Sequence, residues 1–287
     1  MKTILRKQFN KLTIERYPGI FRPSSNPFIS GDTFRNISNH IFDEAQSFDP
    51  SEVNKNDIVF VNSELIEVYF KVQHKFIKNQ YILITHNSDR NVDEEVLNFL
   101  DEKIIHWFSQ NLIAKSNNNV SIIPIGLENR RWLKFGKKKW FRTIKKNNKE
   151  KNILLSFNIY NNFKERNETF QILKDLEIVN CLKFNSPSEY FKNLSKYKFV
   201  ICPEGNGSDT HRLWESLIFN TIPIVKNSDF TYNLQSLNVP CLYVDDWNEV
   251  GKLSDKNLQN IYTELSSKNK DFIYLDYWRK VFINKKI

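Results

Sequence analysis

The chain has few cysteines and no long apolar run, and each shortage excludes a class of protein. Its 3 cysteines, Cys181, Cys202 and Cys241, form no Cys-x-x-Cys pair, so neither a disulfide framework nor a zinc site is expected. Each lies in or beside an apolar run, which predicts buried thiols in a reducing compartment. No apolar run approaches the ~18–20 residues of a membrane span, and the stretch after Met1 is too short for a signal peptide. We therefore expect a cytoplasmic protein.

Positive charge is concentrated in one segment. The formal net charge is +9, but residues 130–151 hold eleven Lys or Arg and one acidic residue, so the rest of the chain is close to neutral. A basic surface for nucleic acid is therefore not indicated. Hydrophobic residues make up 40% of the chain and aromatic residues 14%, which is enough to build a core.

Strand-like and helix-like stretches alternate along the chain. The predicted strands are 58–61, 81–85, 104–108, 120–125, 152–157, 179–184, 198–202, 222–225 and 241–244. The predicted helices are 64–76, 92–100, 164–176, 188–197, 258–265, 271–282 and one that begins at His211. Such alternation is typical of α/β folds, and two successive halves predict two Rossmann-like domains that face each other across a cleft. We expect domains at 1–128 and 152–270, a basic link at 129–151, and a C-terminal helix at 271–287 that crosses back to the first domain.

The most informative stretch begins at Phe199. An apolar strand is followed by Pro203, Gly205 and Gly207, which end the strand and let a ligand approach the backbone. Ser208, Asp209 and Thr210 then supply three residue types that cap helix N-termini.

The helix that follows separates its polar from its apolar residues. At ~100° per residue, His211, Arg212 and Glu215 share one arc of the helix. The opposite arc is apolar and suited to packing on a sheet; it holds Leu213, Trp214, Leu217 and Ile218. A glycine turn at a helix N-terminus attracts phosphate, and a carboxylate one turn further can accept hydrogen bonds from two ribose hydroxyls. The pattern predicts a nucleotide-sugar pocket, although the glycine turn alone also fits an ordinary capped helix.

The string Pro-Glu-Gly-Asn-Gly-Ser-Asp-Thr-His-Arg-Leu-Trp-Glu-Ser-Leu at 203–217, followed by Ile222-Pro-Ile-Val225, resembles the signature of exostosin-like (family 47-like) glycosyltransferases. The strings at 22–35 and 81–89 resemble those of small, soluble bacterial or viral members. The resemblance implies the GT-B architecture of two Rossmann-like domains. It also implies inverting transfer of a sugar from a nucleoside diphosphate, usually UDP, to a hydroxyl of a glycan or lipid-linked saccharide.

Such a transfer needs groups that stabilise the leaving diphosphate. We expect Arg212 and His211 to do so, because positive groups that oppose developing charge supply a large catalytic term. The turn residues Gly205, Asn206, Gly207, Ser208 and Asp209 complete the expected donor site. Arg166 is either a further diphosphate ligand or a solvated helix charge. Glu215 either binds the ribose or forms an i,i+3 pair with Arg212.

No Asp-x-Asp occurs in the chain, and Asp245-Asp246 is the nearest approach. Enzymes that hold Mg²⁺ or Mn²⁺ against a diphosphate normally need such a carboxylate pair. We therefore predict a metal-independent enzyme with no cofactor beyond the nucleotide sugar as co-substrate.

The catalytic base must be a carboxylate or an imidazole within reach of the acceptor hydroxyl. Asp89 is the first candidate because it follows a predicted buried strand; its alternative role is an N-cap for the helix near Val92. Asp32 is second, with a turn or cap as its alternative. His86 is third, with a structural, hydrogen-bonded histidine as its alternative.

The basic segment at 134–146 has three interpretations. It is a solvated connection whose aromatic residues pack onto a domain, or a membrane-surface patch in which Lys137, Lys138 and Lys139 bind anionic lipid while Trp140 inserts. The third, nucleic-acid binding, has no recognition motif to support it. The rival to the enzyme is accordingly a binding module that holds an anionic ligand or nucleic acid without turnover.

Overall fold

The computed structural model of the protein describes residues 21–144 and 148–287. Its chain divides into two compact units. Unit 1 takes in the described residues up to Lys137 together with Tyr274–Ile287, and unit 2 takes in Lys138–Ile273. Residues 1–20 of the predicted first domain, and Lys145 and Lys146 of the basic segment, lie outside the described residues.

Each unit contains one parallel sheet with helices. The strands are β1 (His40–Phe42), β2 (Ile58–Asn62), β3 (Tyr81–His86), β4 (Ile104–Ser109), β5 (Val120–Ile122), β6 (Lys151–Leu155), β7 (Val179–Cys181), β8 (Tyr197–Ile201), β9 (Ile222–Lys226) and β10 (Leu242–Val244). The helices are α1 (Gly31–Ile37), α2 (Ile66–Val72), α3 (Glu94–Leu97), α4 (Lys139–Thr143), α5 (Phe163–Leu173), α6 (Pro187–Leu194), α7 (His211–Ile218), α8 (Asp229–Ser236), α9 (Asp255–Ser267) and α10 (Leu275–Lys285).

In unit 1 the five strands lie in chain order, β1-β2-β3-β4-β5, and pair in parallel. The C-terminal helix α10 packs within this unit through aromatic side chains. Trp278 meets Phe34 of α1 edge-on at 5.9 Å, and Phe282 meets Phe108 of β4 at 5.1 Å between ring centroids. All four rings are buried, so α10 closes part of the unit 1 core.

In unit 2 the strand order is β10-β9-β8-β6-β7. The central strands β6, β8 and β9 are apolar because helices cover the sheet, and Ile153 pairs with Phe199 while Phe199 pairs with Ile222. The carboxyl ends of β6, β8 and β9 therefore lie side by side. In parallel sheets this edge is where ligands bind.

The fold class expected from the sequence, α/β with two Rossmann-like domains of the GT-B class, is confirmed by these two parallel five-stranded sheets. Several element bounds differ. The predicted helix 188–197 ends at Leu194, because Tyr197 already begins β8. The predicted helix 92–100 is the single turn α3. The predicted helix 64–76 is split between α2 and flanking 3₁₀ turns. Helices α1, α4 and α8 and strand β1 were not predicted.

The cysteine prediction is wrong at one position. Cys202 and Cys241 are buried, but Cys181 is exposed because it ends β7, an edge strand of the unit 2 sheet. All three are free thiols. Over residues 21–144 and 148–287, none of the helices is both long and apolar enough to cross a membrane.

Candidate functional site

The turn between β8 and α7 is closed on itself by a hydrogen bond from the Gly205 amide to the Gly207 carbonyl oxygen, at 3.0 Å. Thr210 is the N-cap of α7, and its side chain makes no capping hydrogen bond. Asp209 instead accepts a hydrogen bond from the Trp214 indole at 2.7 Å, and both side chains are buried. The Asp209 carboxylate thus fixes the apolar side of α7 against the turn.

Arg166 lies beneath this turn and is only 4% exposed, so the interpretation as a solvated helix charge is wrong. Its Nε donates to the main-chain oxygen of Glu204 at 2.7 Å, and its Nη1 donates to the main-chain oxygen of Asn158 at 2.9 Å. Burial, and then the charge of Arg212, lowers the pKa of Arg166 to about 10. The side chain therefore joins two neighbouring turns at the carboxyl edge of the sheet.

Gly205 lies directly against the guanidinium of Arg166. A Cβ at this position would lie 3.0 Å from Nη2 of Arg166, which is tighter than most side chains tolerate. Glycine lets the turn approach the guanidinium directly.

Arg212 and Arg166 flank one aromatic ring. Their guanidinium carbons lie 5.8 and 5.7 Å from the centroid of Phe157, which follows β6. The Nε of Arg212 is buried and makes no hydrogen bond among the described residues. The charge of Arg212 lowers the pKa of Arg166, so the two positive charges interact, and an anion beside the pair is attracted by both.

Two ionisable groups near Arg212, Cys202 and Tyr190, add no negative charge to this site. Burial raises the pKa of the Cys202 thiol to about 12 and raises that of the Tyr190 phenol above its usual value. Both groups are therefore neutral near pH 7. Of the other predicted donor-site residues, Glu215 is 8% exposed, His211 is half-buried and Asn206 is exposed.

A cavity of about 230 Å³ lies at the carboxyl ends of β8 and β9. Its polar lining includes Glu165, Glu204, Ser208 and Ser228, and its apolar lining includes Trp247 and Phe230. Ser208 is the one lining residue, within the described chain, that belongs to the predicted donor-site set. Glu204 lies inside the signature string but was not predicted as a site residue. Nothing in the sequence indicates that Trp247, which is far away along the chain, lies here.

Asp32, the second candidate base, lies in α1 and is fully buried. One oxygen, Oδ1, accepts hydrogen bonds from Arg22 at 3.1 Å and from Asn87 at 3.2 Å. The other, Oδ2, makes no hydrogen bond among the described residues and lies 4.0 Å from Nε of Arg131. Asp32 is thus part of an ion-pair cluster.

His86, the third candidate, is 1% exposed and has both ring nitrogens engaged. Its Nδ1 accepts from the Asn87 amide at 2.7 Å, so Nε2 carries the proton that meets the Pro124 carbonyl oxygen at 3.1 Å. Asn87 links His86 to Asp32 at the carboxyl end of β3. This geometry matches the structural alternative given for His86.

Asp89, the first candidate, is exposed and two residues beyond this cluster. Its alternative role was to be the N-cap of the next helix, and Asp89 does not occupy that position. Asp93 is the N-cap of α3 and accepts a hydrogen bond from the Val96 amide at 3.0 Å. The Asp89 carboxylate is therefore open to a substrate.

The second half of the sequence matches a known family. The model of the RXYLT1 C-terminal domain matches residues 137–285, which is more than half of the chain. The chain belongs to this family. The RXYLT1 C-terminal domain has a GT-B-like glycosyltransferase fold, and the match spans all of the unit 2 site. No curated protein matches the sequence.

Solved structures resemble the chain at low identity. The OtsA apo structure is 10% identical, with 80% of this chain and 72% of that chain covered and a TM-score of 0.46. The structure described as "Trehalose-6-phosphate from E. coli bound with UDP-2-fluoro glucose" is 10% identical, with coverage of 82% and 74% and a TM-score of 0.49. TarM is 13% identical, with coverage of 78% and 54% and a TM-score of 0.44. Similarity at this level does not bear on activity or substrate.

The basic segment packs differently from a membrane-inserting patch. Trp140 and Phe141 are 8% and 9% exposed and lie against Phe191 at 5.5 and 4.8 Å between ring centroids. Trp140 is therefore interior to unit 2, and its side chain does not face a membrane surface. Lys139 is exposed, and Phe135 is 50% exposed. In the described part of the chain, no group of three or more His, Cys, Asp or Glu residues is arranged to hold a metal ion.

Proposed function

We propose that this member of the RXYLT1 C-terminal domain family is a glycosyltransferase. It moves a sugar from a nucleoside diphosphate, UDP by preference, to a hydroxyl of a glycan or lipid-linked acceptor. Family membership supports the general class. The observation that carries the proposal is the pair of guanidinium groups on Phe157 beside a glycine turn and a helix N-terminus.

Arg212 is the proposed ligand of the leaving diphosphate. As the bond between the anomeric carbon and the phosphate oxygen breaks, negative charge grows on that oxygen, and a positioned guanidinium stabilises it. The unpaired Nε of Arg212 leaves a donor for this purpose. His211 and the turn from Gly205 to Ser208 support the same anion. This arrangement takes the place of a metal ion, so the reaction is proposed to be metal-independent.

Arg166 has a different proposed role from the one expected. Two of its donors are already used on main-chain oxygens, so it holds the turn in place and contributes charge. Glu215, buried one turn into α7, is the proposed ribose ligand.

The acceptor oxygen forms the new bond to the anomeric carbon and loses its proton to a base. Asp89 is the proposed base, ahead of Asp32 and His86, because it is exposed whereas the other two are buried and hydrogen-bonded. Inversion at the anomeric carbon and the closer, exostosin-like kinship remain parts of this proposal. So does contact with anionic membrane through Lys137, Lys138 and Lys139.

Calorimetric titration of UDP in EDTA tests the donor site. Arg212→Ala is expected to weaken UDP binding at least tenfold without changing the fold. Arg279→Ala is the matched control, because Arg279 is an exposed arginine of α10 that pairs with Asp276. Equal UDP affinity in the wild type and Arg212→Ala contradicts the proposed role of Arg212.

A further inference from the structure

The turn after β6 carries two exposed aromatic side chains that touch each other. Tyr160 is 78% exposed and Phe163 is 57% exposed. Their rings stack with 6.2 Å between centroids and 20° between planes. Single exposed aromatic residues are ordinary on protein surfaces, whereas two exposed rings in contact form an apolar patch. We call these two rings the aromatic platform.

The backbone beneath the aromatic platform is held by hydrogen bonds. The Tyr160 amide donates to Oδ1 of Asn158 at 3.2 Å, and Asn162 caps α5 by accepting from the Glu165 amide at 3.5 Å. The main-chain oxygen of Asn158 accepts the hydrogen bond from Nη1 of the buried Arg166 at 2.9 Å. Because the turn is already ordered, a ligand that binds there has little backbone freedom to remove.

The aromatic platform suits a neutral ring that carries hydroxyls. An aromatic face has partial negative charge, so it attracts the weakly positive C–H groups on one side of a sugar ring. Asn158 and Asn161 are exposed in the same turn, and their amides can donate to hydroxyls and accept from them. Lys164 is the one charged residue of the sequence 158–164. Aromatic surface with a few polar groups is the usual composition of a small-ligand site.

Two other kinds of occupant fit the aromatic platform less well. Attraction to an anionic membrane comes from several basic residues near its surface, and residues 158–164 hold one, Lys164. A stable protein interface buries about 800 Å² on each partner, whereas one aromatic side chain contributes about 150–250 Å². Two rings therefore offer the area of a small ligand.

We propose that the aromatic platform binds a neutral saccharide ring, in a site separate from the guanidinium pair on Phe157. Tyr160 follows Phe157 by three residues, a stretch that spans at most about 10–11 Å, so a saccharide on the platform is close to the proposed diphosphate site. Binding of the saccharide does not require transfer. That the saccharide belongs to the glycan acceptor rests on the proposed function.

Saturation-transfer NMR with four neutral disaccharides, cellobiose, lactose, maltose and xylobiose, tests this proposal. We expect at least one of them to receive saturation from the wild type in the absence of UDP. Tyr160→Ala and Phe163→Ala are each expected to reduce the transferred signal about fivefold, because each removes one ring face. UDP affinity, measured by calorimetric titration, is expected to be unchanged in both variants.

The matched controls are exposed aromatic residues elsewhere in the protein. Tyr232→Ala replaces a tyrosine of α8 that is 58% exposed, and Phe76→Ala replaces a phenylalanine of unit 1 that is also 58% exposed. Neither is expected to change the transferred signal. All four substitutions lie at exposed positions, so the melting temperatures measured by circular dichroism are expected to stay close to that of the wild type.

The outcomes separate this proposal from the proposed function. If no disaccharide receives saturation from the wild type, or if the signal persists in folded Tyr160→Ala and folded Phe163→Ala, the saccharide site is overturned while UDP binding still stands. If both variants lose UDP affinity and the two controls do not, the rings hold part of the nucleotide, and the saccharide site is again overturned. If a disaccharide binds the wild type but UDP does not, the proposed function fails and the saccharide site remains supported.

Discussion

Arg166 donates a hydrogen bond from Nε to the main-chain oxygen of Glu204, at 2.7 Å, and so holds the first residues of the signature turn. The same guanidinium binds Asn158 in the turn after β6. One buried side chain therefore fixes two neighbouring turns, and the turn after β8 is the one at which the diphosphate is proposed to bind. Arg166 acts on the ligand through the position of these turns.

Replacement of Arg166 tests this role. Arg166→Lys keeps the charge but cannot make both main-chain hydrogen bonds in the same geometry. It leaves at least one buried carbonyl oxygen unpaired, and we expect a loss of about 1–3 kcal/mol in the free energy of unfolding together with weaker UDP binding. Urea unfolding and UDP titration measure the two effects. Lys164→Met, at an exposed position of α5, is expected to change neither. Wild-type stability in Arg166→Lys would contradict the role.

Gly205→Ala tests the close approach to Arg166. The added Cβ would lie 3.0 Å from Nη2 and push the guanidinium aside, at a cost of about 1–3 kcal/mol in unfolding free energy. UDP affinity is expected to fall because the turn moves. Gly251→Ala is the control, since its Cβ would meet Leu176 at an ordinary 3.4 Å. Unchanged UDP affinity in Gly205→Ala would show that the turn does not shape the site.

Asp89→Asn tests the base. The substitution keeps the size of an exposed side chain, so stability is expected to be unchanged within ~0.5 kcal/mol. Sugar transfer is expected to disappear while UDP affinity stays the same. Glu95→Gln, at an exposed position of α3, is the control. Retained turnover would move the role to Asp32 or His86.

We expect His106 to make the free energy of unfolding depend on pH. Burial, and then the charge of Lys285, lowers its pKa to about 4 from its ordinary value near 6.5. The folded state therefore keeps the ring neutral, and its contribution to stability is complete above pH 6.5 and declines as the pH falls towards 4. Urea unfolding from pH 7.5 to 4.5 is expected to show this decline, and His106→Asn is expected to reduce its slope. His74 contributes in the same direction because burial lowers its pKa too. If the unfolding free energy of His106→Asn declines with falling pH as steeply as that of the wild type, His106 is not the source of the decline.

Substitutions of Trp140 test whether this side chain inserts into a membrane surface. Because it packs against Phe191, Trp140→Ala is expected to cost about 3–5 kcal/mol of unfolding free energy. Trp140→Phe, which keeps the fold, is expected to leave sedimentation with anionic vesicles unchanged. Replacing Lys137, Lys138 and Lys139 with Gln is expected to reduce sedimentation if membrane contact occurs. Loss of vesicle binding in Trp140→Phe would contradict the buried position.

Local patterns predicted the elements that form the unit 2 site. The apolar run before the glycine turn is β8, one residue earlier than predicted, and the apolar arc of α7 is buried as expected at Leu213, Trp214 and Leu217. These features follow from periodicity within a few residues, which a sequence shows directly.

Such local patterns do not predict contacts between residues that are far apart in the sequence. Nothing near Glu165 in sequence indicates Trp247, and nothing near Asp32 indicates that Arg22 would neutralise it. The position of β6 between β8 and β7 depends on how whole strands pair. Strand β1 has three residues, too few for a periodic signal.

The most direct test of the account is a thermal-shift measurement with UDP, GDP, CDP and dTDP, each in EDTA and in Mn²⁺. A ligand that binds only the folded state adds about 2.7 kcal/mol of stability at ~100 times its Kd, which such a measurement detects. We expect UDP to raise the melting temperature in EDTA as much as in Mn²⁺. No shift with any of the four, together with a shift on adding an oligonucleotide or anionic vesicles, would contradict the transferase and favour a binding module.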